Sequence, residues 1–402
     1  MNKTEEFINE IDKYGAHNYH PLPIVLSSGK GVWVWDVEGK KYLDMLSSYS
    51  ALNQGHCHPR IVSAVKEQIE KLTLTSRAFY HEKMGEFFKK LSEITGKEKV
   101  LPMNSGAEAV ETAIKVTRKW GYLKKRVENG KAEIIACEGN FHGRTVTIVS
   151  FSTEEQYKNG FGPFTPGFKI IPYGDIKALK KAINKNTVGF LVEPIQGEGG
   201  VIVPPAGYLQ ESFKICKENN VLFIADEIQT GLGRTGKLFA CDYEEVKPDI
   251  YILGKALSGG FYPVSAICCD NYIMDVLEPG DHGSTFGGSS VACAAGIASL
   301  DVILEERLCE RADEMGKYFM QKLRTMNSPH VDFVRGKGLL IGVVIKESSG
   351  LARPFCEKLM EEGILAKETH HSVIRFAPPL VITKEEIDWA MGKIAKVLGG
   401  RL

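Results

Sequence analysis

The 402-residue chain is long enough for a large core and for more than one domain. Hydrophobic residues make up 43% of it and charged residues 25%, as in ordinary soluble globular proteins. The 50 basic and 50 acidic residues balance, so no net charge favours a nucleic acid or an anionic membrane as a partner. No run approaches the ~20 apolar residues of a membrane span. Nine scattered cysteines without a CxxC pair indicate reduced thiols and a cytoplasmic location.

The first predicted elements are a hairpin and then a buried sheet. In GVWVWDVEGKKYLDM, an alternating pattern turns at Glu38-Gly39, which predicts a β-hairpin. Between about residues 100 and 270, amphipathic stretches such as GYLQESFKICKENN separate short apolar runs. These runs are EIIACEGNF, FKIIPYG, VGFLVEPIQG, VLFIADEIQ, DIYILGK and PVSAICCD. They lack strict alternation, which predicts strands buried on both faces of a mainly parallel sheet with helices on both sides.

The C-terminal third predicts a smaller α+β domain. It is mostly helical, with one stretch like a strand pair, VDFVRGKGLLIGVVI, and a last helix opened by the capping-box sequence TKEE. We therefore expect an α/β fold in three parts. An N-terminal segment with the hairpin (1–53) packs with the small domain. A large domain (54–286) holds the mainly parallel sheet, and the small domain (287–402) follows.

Two of the predicted strands end in charged residues. VLFIAD ends in Asp226, and DIYILGK ends in Lys255. Either residue alone is most simply a loop residue. In open parallel sheets, however, ligands bind beyond the carboxyl ends of the strands. A carboxylate and an amine that face one crevice suit pyridoxal phosphate, which needs a lysine to hold it and an acid to keep its pyridine nitrogen protonated.

Such a cofactor also needs a phosphate site, and Ser105 begins a candidate. In PMNSGAEAVETAIKV, turn residues lead into a helix whose first N–H groups and positive dipole end favour a phosphate. Ser105-x-x-Glu108 is equally a capping box, which would use the same donors. The sequence leaves both interpretations open.

Two further motifs are rejected as ligand sites. GLGRTG (231–236) fits the GxGxxG dinucleotide pattern, but no clean helix follows it and no acidic residue stands at the expected distance. GHCHP places His56, Cys57 and His58 in a row, and adjacent side chains rarely converge on one ion. We predict a structural turn there and no metal site.

Several motifs in order carry a resemblance to a known family. NSGAEAVETAIK, FHGRT, EPIQGEGG, DEIQTGLGRTG, LGKALSGG and STFGGS together resemble the fold-type I, class III aminotransferases that use pyridoxal 5'-phosphate. GAHNYHPLP, SSYSALNQGHCHP and IRFAPPL are similar to the branch of that family that acts on L-ornithine. The resemblance implies transfer of the δ-amino group of ornithine to 2-oxoglutarate. The alternatives are N-acetylornithine or another ω-amino acid as donor, or a non-catalytic protein of the same fold.

The resemblance also implies the residues of the cofactor site. Lys255 would hold the cofactor covalently and move protons, and Asp226 would pair with its pyridine nitrogen. Phe141 would stack on the ring. The full implied set of cofactor-binding residues is Ser105, Gly106, Ala107, Phe141, Asp226, Gln229, Lys255, Ser284 and Thr285. Because Thr285 would reach the phosphate from a neighbouring subunit, the resemblance implies a homodimer with shared sites.

Five substrate-binding residues are implied in the same way. Arg144 would bind the α-carboxylate of ornithine, and Tyr19 would contact its α-amino group. Arg375 would bind the α-carboxylate of 2-oxoglutarate through a bidentate pair. Glu198 would mask Arg375 by a salt bridge while ornithine is bound. Tyr49 would shape the pocket from the other subunit.

Overall fold

The computed structural model describes residues 2–401. The strands are β1 (Leu26–Lys30), β2 (Trp33–Asp36), β3 (Lys41–Asp44), β4 (Lys99–Met103), β5 (Glu133–Cys137), β6 (Phe168–Ile171), β7 (Thr187–Val192), β8 (Leu222–Asp226), β9 (Ile250–Leu253), β10 (Ser265–Cys269), β11 (Val331–Lys337), β12 (Leu340–Ile345), β13 (Ile364–Leu365), β14 (Lys367–Thr369) and β15 (Val373–Phe376).

The helices are α1 (Lys3–Tyr14), α2 (Ser47–Ser50, a single left-handed turn), α3 (Pro59–Lys71), α4 (Glu82–Thr95), α5 (Gly106–Leu123), α6 (Val146–Val149), α7 (Glu155–Lys158), α8 (Ile176–Ala182), α9 (Tyr208–Glu218), α10 (Asn271–Met274), α11 (Ser290–Glu305), α12 (Leu308–Thr325), α13 (Arg353–Glu361) and α14 (Lys384–Val397). Short 3₁₀ helices lie at Ala240–Glu244, Lys255–Ser258 and Glu347–Ser349. Within residues 2–401, no helix has both the length and the hydrophobicity needed to cross a membrane.

The largest sheet has seven strands in the order β4-β10-β9-β8-β7-β5-β6. The five strands from β9 to β6 run parallel, and at one edge β10 pairs antiparallel with β9 and with β4. All six apolar runs identified in the sequence form strands of this sheet, which confirms the prediction of a mainly parallel α/β sheet. The prediction missed the edge strand β4. Its sequence KVLPM contains Pro102, and proline within an apolar run is usually evidence that the run is not a strand.

Helices cover both faces of this sheet. On one face, α5 buries Val110, Ile114 and their neighbours against Ile224 and Ile252 of the strands. On the other face, α8 and α9 cover a second cluster centred on Phe223. Since every residue of β7, β8 and β9 is buried, these strands carry apolar side chains toward both faces.

Two smaller sheets complete the architecture. In the sheet β1-β2-β3-β13, the predicted hairpin is present as β2–β3, and Gly39 takes the left-handed φ of 85° that its turn requires. The C-terminal strand β13 pairs with β3, which joins the two ends of the chain. The sheet β11-β12-β15-β14 contains the predicted antiparallel pair β11–β12.

For the C-terminal third, the predicted last helix is confirmed, but three short strands were not predicted. The capping box that opens α14 forms between Thr383 and Glu386. The prediction missed β13, β14 and β15 because strands of two to four residues are too short to show a period of two. The division of the chain after residues 53 and 286 stays a prediction.

Candidate active site

Lys255 stands just beyond the buried strand β9. It opens a short 3₁₀ helix with a φ of 45°, a left-handed conformation that costs an ordinary side chain free energy. Burial lowers the pKa of the Lys255 amine, although the negative charges of Glu198 and Asp226 act in the opposite direction. A lysine with a lowered pKa is more readily neutral, as a group that must accept a proton has to be.

Lys255 lines a cavity of about 210 Å³ at the carboxyl ends of the parallel strands. The lining residues are Gly106, Ala107, Phe141, His142, Gly143, Glu193, Ile195, Asp226, Ile228, Gln229, Thr230 and Lys255. The fold therefore brings an amine, a carboxylate, an aromatic ring and the start of α5 to one small space. Most residues predicted for the cofactor site lie here.

The start of α5 serves both as a cap and as part of the cavity wall. The Ser105 hydroxyl accepts a hydrogen bond from the Glu108 N–H (3.2 Å), and the Glu108 carboxylate accepts one from the Ser105 N–H (2.6 Å). Gly106 and Ala107 are the first two residues of α5. Their N–H groups therefore have no hydrogen-bond acceptor within the helix and point toward its N-terminal end. The capping box and a phosphate site therefore use different donors and can coexist.

Asp226, the last residue of β8, is paired with a histidine that sequence reasoning missed. Its Oδ2 lies 2.6 Å from Nδ1 of His142, and its Oδ1 accepts the Ile228 N–H at 3.1 Å. Burial by itself would lower the pKa of His142, but the hydrogen bond and charge of Asp226 outweigh it and raise that pKa. His142 stands next to Phe141 in FHGRT, yet no local pattern indicated its partner.

Glu193 is a second functional candidate that sequence reasoning missed. Its Oε2 accepts the N–H of Phe141 (3.1 Å), and its Oε1 accepts the N–H of Gly197 (3.4 Å). Burial, with a further contribution from the charge of Asp226, raises the pKa of Glu193 to about 7. The signal was available, because Glu193 directly follows the buried strand β7, as Asp226 and Lys255 lie at the ends of β8 and β9.

Arg375 on β15 is a buried cation, 1% exposed, beside the same cavity. Its Nη1 donates to Glu198 Oε1 at 2.5 Å and to Gln229 Oε1 at 3.4 Å. Burial alone would raise the pKa of Glu198, but Arg375 outweighs this effect and the pKa is lowered. Nε and Nη2 of Arg375 have no hydrogen-bond partner within residues 2–401. The guanidinium is thus paired on one nitrogen and unpaired on two.

Tyr49 covers Arg375 from within the same chain. The guanidinium carbon lies 4.8 Å from the centre of the Tyr49 ring, in cation–π geometry. This differs from our expectation that Tyr49 would serve the pocket of another subunit. The reason is local: the segment 47–50 forms a left-handed turn that directs the ring inward.

The remaining predicted residues lie outside the Lys255 cavity. The exposed Arg144 stacks on Tyr157 (4.3 Å) and lies 5.8 Å from the ring of Phe141. Tyr19 is 72% exposed and lines a separate cavity of about 370 Å³. Ser284 and Thr285 line a third cavity, of about 540 Å³.

The chemistry of the cavity fits pyridoxal 5'-phosphate. A lysine with a lowered pKa, an aspartate paired with a histidine, an aromatic ring and free helix N–H groups are the features that this cofactor requires. The class of protein that the fold and the site define is a pyridoxal-phosphate-dependent enzyme with a mainly parallel sheet.

Comparisons with known proteins agree with this class. Residues 14–398 match the family described as aminotransferase class III. The chain is 61% identical to an ornithine aminotransferase of Brevibacillus brevis, over 99% of both chains. The solved ornithine aminotransferase of Toxoplasma gondii superposes with a TM-score of 0.97 at 47% identity, covering 98% of this chain and 94% of that one. An acetylornithine aminotransferase of Elizabethkingia anophelis reaches 0.90 at 51% identity, over 99% of both chains.

The chain belongs to the class III aminotransferases. It is a pyridoxal-phosphate-dependent transaminase.

The role of Lys255 can be tested by covalent labelling. Borohydride treatment of the loaded enzyme should fix the cofactor on the peptide that contains Lys255, and mass spectrometry should find it there. Lys255→Ala should retain the cofactor non-covalently but lose turnover by about 10²–10⁴-fold, the usual effect of removing a positioned proton-transfer group. Label on another lysine would refute the assignment.

Proposed function

We propose that this enzyme transfers the δ-amino group of L-ornithine to 2-oxoglutarate, giving glutamate 5-semialdehyde and glutamate. The names of its relatives support ornithine as the donor. The observation that carries the proposal is the ion pair of Glu198 and Arg375 beside the Lys255 cavity, with a nitrogen–oxygen distance of 2.5 Å.

Ornithine carries two amines, and the enzyme must present the terminal one. A free guanidinium beside the reacting centre would attract the α-carboxylate of ornithine and so bring the α-amine there. Glu198 neutralises Arg375 along one edge, and Tyr49 covers one face. With this guanidinium masked, the terminal amine is the group that can approach Lys255.

The carboxylate of ornithine then needs a partner farther out. Arg144 is exposed and is held over the rings of Tyr157 and Phe141, which supports its role as that partner. Tyr19 has an exposed ring and lines the separate cavity that Tyr49 also lines. There it would contact the α-amino group.

The second substrate, 2-oxoglutarate, requires Arg375 to be available and not masked. In 2-oxoglutarate the reacting keto carbon adjoins the α-carboxylate, so this carboxylate must bind near Lys255. Nε and Nη2 of Arg375 lack partners in the described chain and could receive both oxygens of a carboxylate. Glu198 would release Arg375 at this stage and keep its contact with Gln229 Nε2 (3.3 Å).

Pyridoxal phosphate, when bound, supplies the electron sink through which an amino group leaves one substrate and reaches the other. Lys255 would hold it until the substrate amine takes the place of Lys255 Nζ, and the freed Nζ would then take the proton from the δ-carbon of ornithine. Asp226, oriented by His142, would keep the pyridine nitrogen charged. Further contacts would come from Phe141 on the ring, Gln229 on the ring oxygen, and Ser105, Gly106 and Ala107 on the phosphate.

We also propose a homodimer with shared sites in the cytoplasm. Thr285 is exposed and lies outside the Lys255 cavity of its own chain, which supports a role for it, with Ser284, at the phosphate of a second subunit. The nine cysteines are all free thiols, which supports a reducing compartment.

N-acetylornithine is the second candidate donor. It is favoured by the likeness to an acetylornithine aminotransferase. The two donors differ only in the acetyl group on the α-nitrogen, so the cavity lined by Tyr19 has to distinguish them. A clearly higher kcat/KM for N-acetylornithine than for ornithine would replace our proposal by this alternative.

Glu198→Ala tests the masking of Arg375. The matched donors are L-norvaline, which offers only an α-amine, and 5-aminopentanoate, which offers only a terminal amine. Because Arg375 loses a hydrogen bond between charged groups, the variant should react with norvaline at least about tenfold faster than wild type. Cofactor absorbance in single-turnover reactions measures both rates. An unchanged norvaline rate would rule out masking by Glu198.

Mixed dimers test the shared site. Lys255→Ala and Thr285→Ala chains should each be impaired for a different reason. In a heterodimer of the two, one site takes both lesions and the other takes neither, if Thr285 acts across the interface. Co-refolded mixtures should therefore recover activity toward ornithine. Heterodimers verified by affinity tags that stay inactive would assign Thr285 to its own chain.

A further inference from the structure

The segment that carries Tyr49 is an unusual piece of backbone. Ser47, Ser48, Tyr49 and Ser50 have φ values of 45°, 48°, 61° and 75°, so four consecutive residues with side chains are left-handed. Each such residue is strained, and no glycine relieves the turn. A turn of this kind persists only if the surrounding structure holds it.

One set of contacts holds the start of the turn. Oδ1 of Asp44 accepts the N–H groups of Leu46 (2.9 Å) and Ser47 (2.8 Å). Its Oδ2 lies 2.8 Å from Nε2 of His56. A single carboxylate, itself fixed by a histidine, thus binds the two amides that lead into the turn.

A second set of contacts comes from Arg234, which is fully buried. Its Nη2 donates to Oγ of Ser47 (3.0 Å) and to Oδ1 of Asn53 (2.6 Å). Its Nη1 donates to the carbonyls of Leu339 (3.0 Å) and Pro378 (2.6 Å). The guanidinium therefore connects the turn to two backbone segments of the C-terminal part.

These contacts account for the two motifs that the cofactor chemistry leaves unexplained. His56 belongs to GHCHP and Arg234 to GLGRTG. The histidines of GHCHP diverge, since His58 pairs with Glu306 at 3.2 Å while His56 pairs with Asp44. His56 acts through Asp44 on the start of the strained turn, and Arg234 binds Ser47 at that start and Asn53 three residues after the turn. Tyr49, whose ring covers Arg375, lies between Ser47 and Asn53.

We propose that Asp44, His56 and Arg234 are positioning residues that hold the left-handed turn 47–50 and thereby keep Tyr49 on Arg375, so that the enzyme prefers terminal amines to α-amines. The inference deepens the proposed function and rests on it. The three side chains touch the turn or its anchor and act on the substrate only through Tyr49.

The decisive variant is His56→Leu, which removes the partner of Asp44. We define selectivity as the single-turnover rate with 5-aminopentanoate divided by the rate with L-norvaline. In His56→Leu this ratio should fall about tenfold, which corresponds to the free energy of one hydrogen bond to a charged group. Hydrogen exchange should accelerate in the peptide 46–54. His56→Gln, whose amide can still donate to Asp44, should restore most of the selectivity.

His58→Leu is the matched control. It removes a histidine–carboxylate pair two residues away that does not touch the turn. Its selectivity and its exchange in 46–54 should equal those of wild type. Asp44→Asn, which keeps the size of the side chain, is a second probe and should shift the selectivity in the same direction as His56→Leu.

A double-mutant cycle identifies the route of the effect. In a Tyr49→Ala background, His56→Leu should change the selectivity no further, because its effect passes through the Tyr49 ring. Full additivity of the two changes would overturn the proposal, and so would an unchanged selectivity in both His56→Leu and Asp44→Asn. Failure of the proposed function is a distinct result: wild-type enzyme would then not transfer the δ-amino group of ornithine.

Discussion

One buried cation, Arg375, dominates the electrostatics beside the Lys255 cavity. Arg375 is almost completely excluded from solvent, and an unpaired buried charge is costly. Glu198, Gln229 and the face of Tyr49 compensate it only in part, since two of its nitrogens have no partner in the described chain. A carboxylate that reaches those nitrogens would complete the compensation. Under the proposed function, this incomplete pairing would allow one residue to be masked toward ornithine and available to 2-oxoglutarate.

The parallel sheet determines where this cation can act. The adjacent strands β7, β8 and β9 end at one edge and deliver Glu193, Asp226 and Lys255 to it, although these residues are far apart in the sequence. Burial raises the pKa of Glu193 and lowers that of Lys255, while the pairing with Asp226 raises that of His142. The cavity thus combines a readily neutral amine with an aspartate that is paired with a histidine.

The sequence was informative where a local pattern decides the structure. Apolar runs predicted the strands of the large sheet, and charged residues after such runs predicted Asp226 and Lys255. The same rule applied to EPIQGE would have found Glu193. It could not find the partner of His142, because that contact joins segments 84 residues apart.

The turn around Tyr49 was hidden for a different reason. SSYS contains no glycine or asparagine, so no residue indicates a left-handed conformation there. Contacts from Asp44 and Arg234 impose it, and the latter lies 187 residues away from Ser47. Short strands such as β13 and β14 likewise depend on pairing with distant partners and not on their own periodicity.

The central claim is that the site presents the terminal amine of ornithine and excludes the α-amine. The most direct measurement follows nitrogen from ornithine labelled with ¹⁵N at one position, using unlabelled 2-oxoglutarate and mass spectrometry of the glutamate formed. The account predicts that δ-labelled ornithine gives ¹⁵N-glutamate, whereas the α-label stays in glutamate 5-semialdehyde. Glutamate that carries the α-label would contradict it.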